Sequence, residues 1–477
     1  MKVQVKRGSM HCLVGGLKRS PKLLALLLLF ACFVASGRAR GDEIVPVATE
    51  LPPTLTLEAA MRIFRTRGLD LLIADAQVRT AEGQVTAAAA IANPVVSGSV
   101  GNSITYANSE YSRGNCLVNG AQCTPWVFNV GVSDSAAVMD TLSGKRDLRQ
   151  RVARNALAAA KMNRVDAERT LAFDVKTAFI QVAQAELGYK FAKEVAATNQ
   201  TTLQKFQDRL SGGTVNLGDL QRIETQKLES DGAVDNAVIN LRQARVTLAF
   251  LLGVRGGVPD FDVDTAVLDY SVPLPLTDAT EVALLRVAFD HRPDLSQLGY
   301  MMASSQAQIE LIRRQRFPDV TLGVNYSWGG FGGTSTNGPV GPQILTFGLS
   351  VPLPVFYQLQ GETKQAEGIY DANTLAHAKL TSQVVNDVSS GFASYVGTRR
   401  LVERMEGPRR ANGGLLQSAK GAFDIIAIQY ESGSANLTDY LDALRTYIAI
   451  KGEYFGDLTN YWTAVYQLEQ AVAMDLR

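Results

Sequence analysis

The 477-residue chain lacks several features that mark common classes of protein. After the N-terminal region no apolar run reaches the ~20 residues of a membrane-spanning helix. Basic residues number 47 and acidic residues 46, so the net charge of +1 offers no basic field for nucleic acid. The sequence has no glycine-rich phosphate loop after a strand, no nucleophile elbow and no clustered metal ligands. We therefore predict a protein that is not an enzyme and needs no cofactor.

Histidine is scarce, with three residues in the whole chain. His291 and His377, the two outside the N-terminal segment, are interpreted as solvated helix residues rather than catalytic groups. No methionine or histidine ladder marks a path for metal ions.

Proline is absent between Pro125 and Pro259, and the uninterrupted segment has a helical pattern. Apolar or small residues recur there at alternating spacings of four and three, with Asn199 as the one polar member of the row: Leu171, Val175, Ala178, Val182, Ala185, Tyr189, Ala192, Ala196, Asn199, Leu203, Phe206 and Leu210. This coiled-coil seam predicts a helical hairpin over about 144–252. A helix from Gly144 to Gly212 would be ~100 Å long, too long for a compact globular domain.

A ten-residue segment that suits a tight turn occurs in two similar copies, at Ser211–Leu220 and at Ser432–Leu441. Glycine, serine and asparagine end a helix, and Asn, Thr and Asp begin the next one. The spacing predicts a tandem duplication with repeats at 42–260 and 261–477. The second repeat has its own hairpin over about 361–474, with a break expected near Pro408 and Gly413.

Each repeat begins with a helical pattern, which in the first repeat runs from Thr56 to Ala92 and ends at Asn93-Pro94. Two segments of period-two alternation follow in each repeat. They predict four strands with one apolar and one polar face, at about 95–107, 126–136, 319–329 and 343–353.

The four strands have the length of transmembrane β-strands, and aromatic residues lie at their ends: Tyr106, Trp126, Tyr326 and Trp328. A small soluble sheet packed on the helices is the alternative. Because four strands cannot close a barrel and an open edge cannot face lipid, strands in a membrane would require several chains to share one barrel.

The N-terminus has the pattern of an export signal over residues 1–41, with an apolar core at Leu23–Val34 after basic residues. Ordinary cleavage is the favoured interpretation, and lipidation at Cys32 is the alternative. Export would place Cys116 and Cys123 in an oxidising compartment, where a disulfide is favoured over a metal site.

The order of these elements, duplicated in one chain, resembles the TolC-like outer-membrane efflux factors. The matching segments are Leu55–Ala59, Arg292–Leu295, Phe317-Pro318 and the turn from Gly433 to Ala443. The stretches Val351–Phe356 and Gln360–Glu362 are more similar to the CzcC-like heavy-metal branch than to the drug branch. Leu69 and Ala435 depart from the family pattern, which usually has proline and often a basic residue at these positions.

The resemblance implies a mainly α-helical homotrimer in the outer membrane, with a shared 12-stranded β-barrel and an α-helical tunnel across the periplasm. A periplasmic adaptor and an inner-membrane pump of the resistance-nodulation-division class would be its partners. The chain would passively conduct cations, heavy metals or small toxic compounds. Two alternatives stay open: the duct of a type I protein secretion system, and a periplasmic coiled-coil scaffold or adaptor.

The second turn carries two carboxylates, Asp439 and Asp442, at positions i and i+3 on one helix face. Around a threefold axis they would form stacked acidic rings that favour cations, and the family's acidic constriction carries over onto them. Asp439 could instead serve only the helix dipole. In the first turn, Asp219 matches Asp439, whereas Arg222 matches Asp442. We predict a latch in which Arg222 pairs with an acidic neighbour and Tyr430 donates to Asp219.

The tips of the two hairpins are also the predicted contacts for the adaptor. Small residues allow close approach and leucines supply apolar area. The predicted contact residues are Gly212, Gly213, Leu217, Gly433, Ser434 and Leu437.

Overall fold

The computed structural model describes residues 51–102, 117–118, 121–122, 126–211, 216–329, 333–335, 338–340, 343–407 and 413–476. Several predictions fall outside these residues: the export signal with Cys32, the disulfide between Cys116 and Cys123, the aromatic end Tyr106, and the turn glycines Gly212 and Gly213. They stay predictions.

Helices dominate the described chain. They are α1 (Leu57–Arg67), α2 (Leu69–Ala89), α3 (Ala137–Leu142), α4 (Lys145–Ser211), α5 (Leu217–Leu251), α6 (Glu281–His291), α7 (Pro293–Gln315), α8 (Gln360–Glu406), α9 (Leu415–Glu431) and α10 (Leu437–Val472). The strands are β1 (Thr54–Leu55), β2 (Val95–Asn102), β3 (Leu117–Val118), β4 (Ala121–Gln122), β5 (Trp126–Ser133), β6 (Asp262–Val263), β7 (Thr321–Gly329), β8 (Gly333–Ser335), β9 (Gly338–Val340) and β10 (Ile344–Ser350).

The longest helix is α4, whose 67 residues correspond to about 100 Å at 1.5 Å per residue. It packs along α5, α7, α2 and α10. The break predicted near Pro408 is present, since α8 ends at Glu406 and α9 begins at Leu415. Within the described ranges, no helix combines the length and apolarity needed to cross a membrane.

The single helix predicted over residues 56–92 is wrong, because the chain breaks at Gly68 into α1 and α2. Gly68 has φ −59° and ψ 118°, and its N–H donates to the carbonyl oxygen of Phe64. A Cβ at Gly68 would lie 2.7 Å from that oxygen and 2.8 Å from the Phe64 ring. Arg292, between α6 and α7, has nearly the same backbone angles, φ −66° and ψ 119°. The offset between the two breaks is 224 residues, which supports the proposed duplication.

The principal sheet has the strand order β10-β7-β5-β2 and is antiparallel throughout. Three strands are shorter than predicted, since β5 ends at Ser133, β7 begins at Thr321 and β10 spans Ile344–Ser350. The end predicted for the first strand at residue 107 lies outside the described residues. After Ser133 the extended backbone ends, since Ser135 and Ala136 take left-handed φ values of 51° and 62°. Asp134 continues the ladder for one step, because its N–H donates to the carbonyl of Leu322 and its carboxylate accepts from the Leu322 N–H.

The segment between the repeats is more ordered than its glycine and proline content indicates. Its strand β6 pairs in parallel with β1, and two 3₁₀ helices follow at Thr265–Leu268 and Leu274–Leu276. Leu268 and Leu276 are buried in a core that also takes in Val175 of α4 and Trp462 of α10. This core therefore joins the beginnings of both repeats to the middle of the helical hairpins.

Candidate functional site

One face of the principal sheet is an apolar surface open to its surroundings. Strand register places Val96, Val132, Val324 and Phe347 in one row across all four strands. Phe347 is 77% exposed and Val96 is 72% exposed. In the next rows Phe128 stacks on Trp328 with ring centroids 5.7 Å apart, and Trp328 stacks on Tyr326. A surface this apolar needs a nonaqueous neighbour.

The opposite face of the same sheet is polar and carries no charge in the described strands. One row contains Ser97, Gly131, Asn325 and Thr346. A Cβ at Gly131 would lie 1.8 Å from the Asn325 side-chain oxygen, so the glycine makes room for that amide. In the neighbouring row, Asn129 Nδ2 donates to Ser99 Oγ at 3.3 Å. The sheet thus separates an apolar face from a small, neutral, hydrogen-bonding face.

The two hairpin turns have the same helix cap. The side-chain oxygen of Asn216 accepts from the N–H of Asp219 at 2.8 Å, and that of Asn436 accepts from the N–H of Asp439 at 2.9 Å. Asn216 Nδ2 also donates to the Asp219 carboxylate at 2.8 Å. These caps satisfy N–H groups that the helix leaves free and place each aspartate in the first turn.

Near the turns, four helices share an apolar cluster, here called the tip cluster. Its buried members are Leu203 and Phe206 of α4, Leu220 and Ile223 of α5, and Leu437, Tyr440, Leu441 and Leu444 of α10, with Phe423 and Tyr430 of α9 packed against them. The cluster fixes the two hairpins side by side, which sequence periodicity within one helix could not show.

The predicted contact role of Leu437 is corrected by this cluster. Its side chain is 7% exposed and packs with the other cluster residues, whereas Leu217, its counterpart in the first turn, is 61% exposed. Leu437 therefore contributes to the fold, and Leu217 is the leucine that a partner can reach. Gly433 and Ser434 are exposed, and Gly433 takes the left-handed φ of 83° that its turn requires.

Tyr430 lies among the tip-cluster aromatics rather than in the predicted hydrogen bond. Its ring stacks on Phe206 at 5.8 Å, and the Arg209 guanidinium lies 5.9 Å from its centroid. Burial raises the pKa of the Tyr430 hydroxyl, Arg209 acts to lower it, and nearby Asp219 acts to raise it. Of the hydrogen bonds among described residues, none joins Tyr430 to Asp219, so the two are neighbours without the predicted bond.

Asp439, Asp442 and Arg222 are exposed at the tips, and Asp219 is half-buried. Arg222 makes no ion pair with another described residue of its own chain. The predicted latch through Arg222 stays a prediction. In the described residues no group of three or more histidine, cysteine, aspartate or glutamate side chains could hold a metal ion.

Sequence reasoning missed the ion network around Arg292, although the residue belongs to a motif that we noted. Arg292 is 4% exposed and donates to Asp294 at 2.6 Å, to Asp387 at 2.9 Å and to the carbonyl oxygen of Ala471 at 3.5 Å. Arg169 of α4 also donates to the carbonyl oxygen of Gln470. The motif therefore ties α7 to α8 and to the end of α10.

Comparison with known proteins agrees with this architecture. The profile of the family described as Outer membrane efflux protein matches residues 284–473. The chain is 23% identical over 458 residues to the cobalt-zinc-cadmium resistance protein CzcC of Cupriavidus metallidurans, covering 94% of this chain and 98% of the relative. It is 22% identical over 429 residues to the pyoverdine export outer membrane protein OpmQ of Pseudomonas aeruginosa, covering 87% and 84%.

Solved structures share the fold. The CusC structure superposes with a TM-score of 0.68 at 17% identity, covering 91% of this chain and 97% of CusC. The outer membrane protein VceC of Vibrio cholerae gives a TM-score of 0.66 at 18% identity, covering 88% and 97%. These superpositions confirm the TolC-like fold. The chain is therefore similar to outer membrane efflux proteins, in its sequence over residues 284–473 and in its TolC-like fold.

Proposed function

We propose that this chain is the outer-membrane duct of a tripartite efflux system and that three copies share one 12-stranded barrel. The observation that carries the proposal is the two-faced sheet, followed along the chain by the helix α4, which is about 100 Å long. Its apolar face suits lipid, and its neutral face suits an aqueous pore. The edge strands β2 and β10 are each paired on one side only in the described sheet, so pairing between copies would satisfy the backbone groups of their outer edges.

Energy and cargo choice would come from partners. A periplasmic adaptor would contact the hairpin tips, where Leu217, Gly433 and Ser434 are exposed, and an inner-membrane pump, proposed to be of the resistance-nodulation-division class, would drive export. The proposed cargo is a cation, a heavy metal or a small toxic compound. Support comes from the relative named for cobalt, zinc and cadmium resistance and from the exposed pair Asp439 and Asp442.

The primary test combines two measurements on protein extracted from outer membranes in mild detergent. Light scattering should give a protein mass of three mature chains, and the same particle should form pores in a planar bilayer. A water-soluble monomer without pore activity would exclude the duct.

Cation preference is tested in the same bilayer by the reversal potential across a salt gradient. The Asp439→Asn and Asp442→Asn double variant should lose most of the preference, because the proposed acidic rings would disappear. The matched pair Asp231→Asn and Asp235→Asn, away from the turns on α5, should retain it. Equal selectivity in the wild type and the tip variant would contradict the proposed rings.

A further inference from the structure

The described sheet contains a junction between the two repeats, and the same kinds of strand form its open edges. β5 is the second strand of the first repeat, and it pairs antiparallel with β7, the first strand of the second repeat. The open edges belong to β2, the first strand of the first repeat, and β10, the second strand of the second repeat. A second copy would therefore bring together the two kinds of strand that already pair within the chain.

Equivalent positions in the two repeats follow from the helix breaks and the strand register. The offset of 224 residues between the two breaks also relates Val100 of β2 to Val324 of β7. Val100 lies opposite Phe128 in the first hairpin, and Val324 lies opposite Phe347 in the second. The two hairpins thus contain the same valine–phenylalanine pair, which makes Phe128 of β5 equivalent to Phe347 of β10.

The internal register between β5 and β7 can then be transferred to the open edges. Within the chain Val132 lies opposite Val324. Val351 follows Phe347 by four residues, as Val132 follows Phe128, so Val351 takes the place of Val132. The 61% exposed Val100 takes the place of Val324. The transferred pair again joins two valines, on the apolar face of the sheet.

The adjacent pair shows the same match on the polar face. Within the chain Gly131 lies opposite Asn325, and the absence of a side chain on the glycine leaves room for the amide. The transferred pair is Ser350 with Gly101, again a glycine opposite a polar side chain. Both faces of the sheet are therefore continued by the transferred register.

The helices have the same relation between repeats. α4 packs along α2 of its own repeat and along α7 of the other repeat. α8, the counterpart of α4, packs along α7 of its own repeat. The transferred relation places α8 of one copy along α2 of a second copy.

We propose that β10 of one copy pairs antiparallel with β2 of a second copy in this register. Ser350 lies opposite the partner's Gly101, and Val351, directly after β10, lies opposite the partner's Val100. The inference rests on and deepens the proposed function, because it assigns how neighbouring copies join and leaves their number to the proposed barrel. Each copy gives one edge and receives the other, so the contact is head-to-tail and suits a closed ring.

The geometry of the pair suits a disulfide. Asp134 donates its N–H to the carbonyl oxygen of Leu322, and hydrogen-bonded and non-hydrogen-bonded pairs alternate along an antiparallel ladder. The pair of Gly131 and Asn325, three positions away, is therefore of the non-hydrogen-bonded kind, and so is its proposed equivalent. In such pairs the Cα atoms are about 4.5 Å apart, which a disulfide can span.

The test is disulfide cross-linking between copies in outer membranes, read on non-reducing gels. Gly101→Cys and Ser350→Cys are combined in one full-length chain, and the membranes are oxidised with diamide. We expect most of the double variant to shift from monomer to covalent dimer and trimer. Either single variant, which retains the natural cysteines, should remain monomeric. Cross-linking of Ser350→Cys alone would show that β10 pairs with β10 and would overturn the register.

The matched control combines Gly101→Cys with Gly348→Cys, which is two residues out of register on the same face. Diagonal neighbours of this kind are about 7–8 Å apart, too far for a disulfide. An added Cβ has its nearest atom at 4.0 Å for Gly101 and at 3.9 Å for Gly348, so both positions accept a side chain. The control should stay monomeric, and its cross-linking in place of the first pair would overturn the register.

A second pair decides the matter should the first double variant fail to assemble. Asn102→Cys with Leu349→Cys is the adjacent pair in the same register, on the apolar face. Its Cα atoms would be about 5.5 Å apart, again within the range of a disulfide. Assembled particles of this variant that do not cross-link would contradict the register.

The protein mass of the wild-type particle in mild detergent is measured beside the gels. A particle of three chains in which neither designed pair cross-links contradicts the register and leaves the duct standing. A covalent ladder of the designed pair that ends at another number supports the register and contradicts the three-copy barrel.

Discussion

The two halves of the chain share the same turns and helix breaks but differ in the side chains at equivalent positions. Both hairpin turns have an asparagine cap with an aspartate three residues later. The next helix position differs, however, since Leu217 is exposed and Leu437 is buried in the tip cluster. At the break before α2 and α7, one half has Gly68 and the other has Arg292. The turns are thus alike in the two halves, and the surroundings of each turn decide what its side chains do.

The largest expected effect is at the second break. Arg292→Ala would leave Asp294 and Asp387 without their buried partner, and we expect a loss of about 3–5 kcal/mol of stability. Thermal melting of the purified protein measures it. Arg313→Ala is the control, because its 3.5 Å pair with Glu367 is exposed and should contribute at most about 1 kcal/mol. Equal melting temperatures of the two variants would contradict a structural role for the Arg292 network.

Substitutions at the two equivalent leucines, Leu217 and Leu437, distinguish a role in packing from a role in partner binding. Leu437→Ala should lower stability by about 2–5 kcal/mol, because it removes buried apolar volume from the tip cluster. Leu217→Ala should melt like the wild type and instead weaken binding to the proposed adaptor, measured by surface plasmon resonance. Reversed outcomes, with Leu217→Ala unstable, would show that the first turn is buried in the assembled channel.

Two glycine substitutions in the first repeat test whether the break at Gly68 requires a residue without a side chain. Gly68→Ala should destabilise by about 1–3 kcal/mol, because its Cβ would overlap Phe64. Gly83→Ala, inside α2 with nothing near its added Cβ, should raise stability by about 0.5–1 kcal/mol. A melting temperature that rises in both variants would mean that the break tolerates a side chain.

The smallest expected effect is on the pH dependence of stability in acid. Burial acts to raise the pKa of Asp294, but the hydrogen bonds and charge of Arg292 outweigh it and hold that pKa below its usual value of 3.8. The stabilising contribution of this carboxylate is therefore present above about pH 4 and is lost as the pH falls through the lower folded-state pKa. Melting temperatures across pH 2–6 should depend less on pH in Asp294→Asn than in the wild type. Asp371→Asn, at an exposed aspartate, should retain the wild-type slope.

Local sequence pattern determined much of this protein. The four-three spacing predicted the long helices, alternation predicted the two-faced strands, and the repeated turn predicted both hairpins, since each depends on neighbours within one element. The break at Gly68 was missed because the apolar pattern continues across it, and only the steric fit of the glycine against Phe64 shows it.

Only the tertiary structure decided which side chains share a site. The sequence treats Leu217 and Leu437 alike, but the packing of α10 against α4 and α9 buries one and leaves the other accessible. Likewise, Tyr430 lies near both Asp219 and Arg209. Long-range packing stacks its ring on Phe206 and places it beside the Arg209 guanidinium. Residues of α4, α7 and α8, far apart in sequence, line one common pocket. Helical and strand periods reflect local backbone geometry, whereas burial depends on contacts between distant segments.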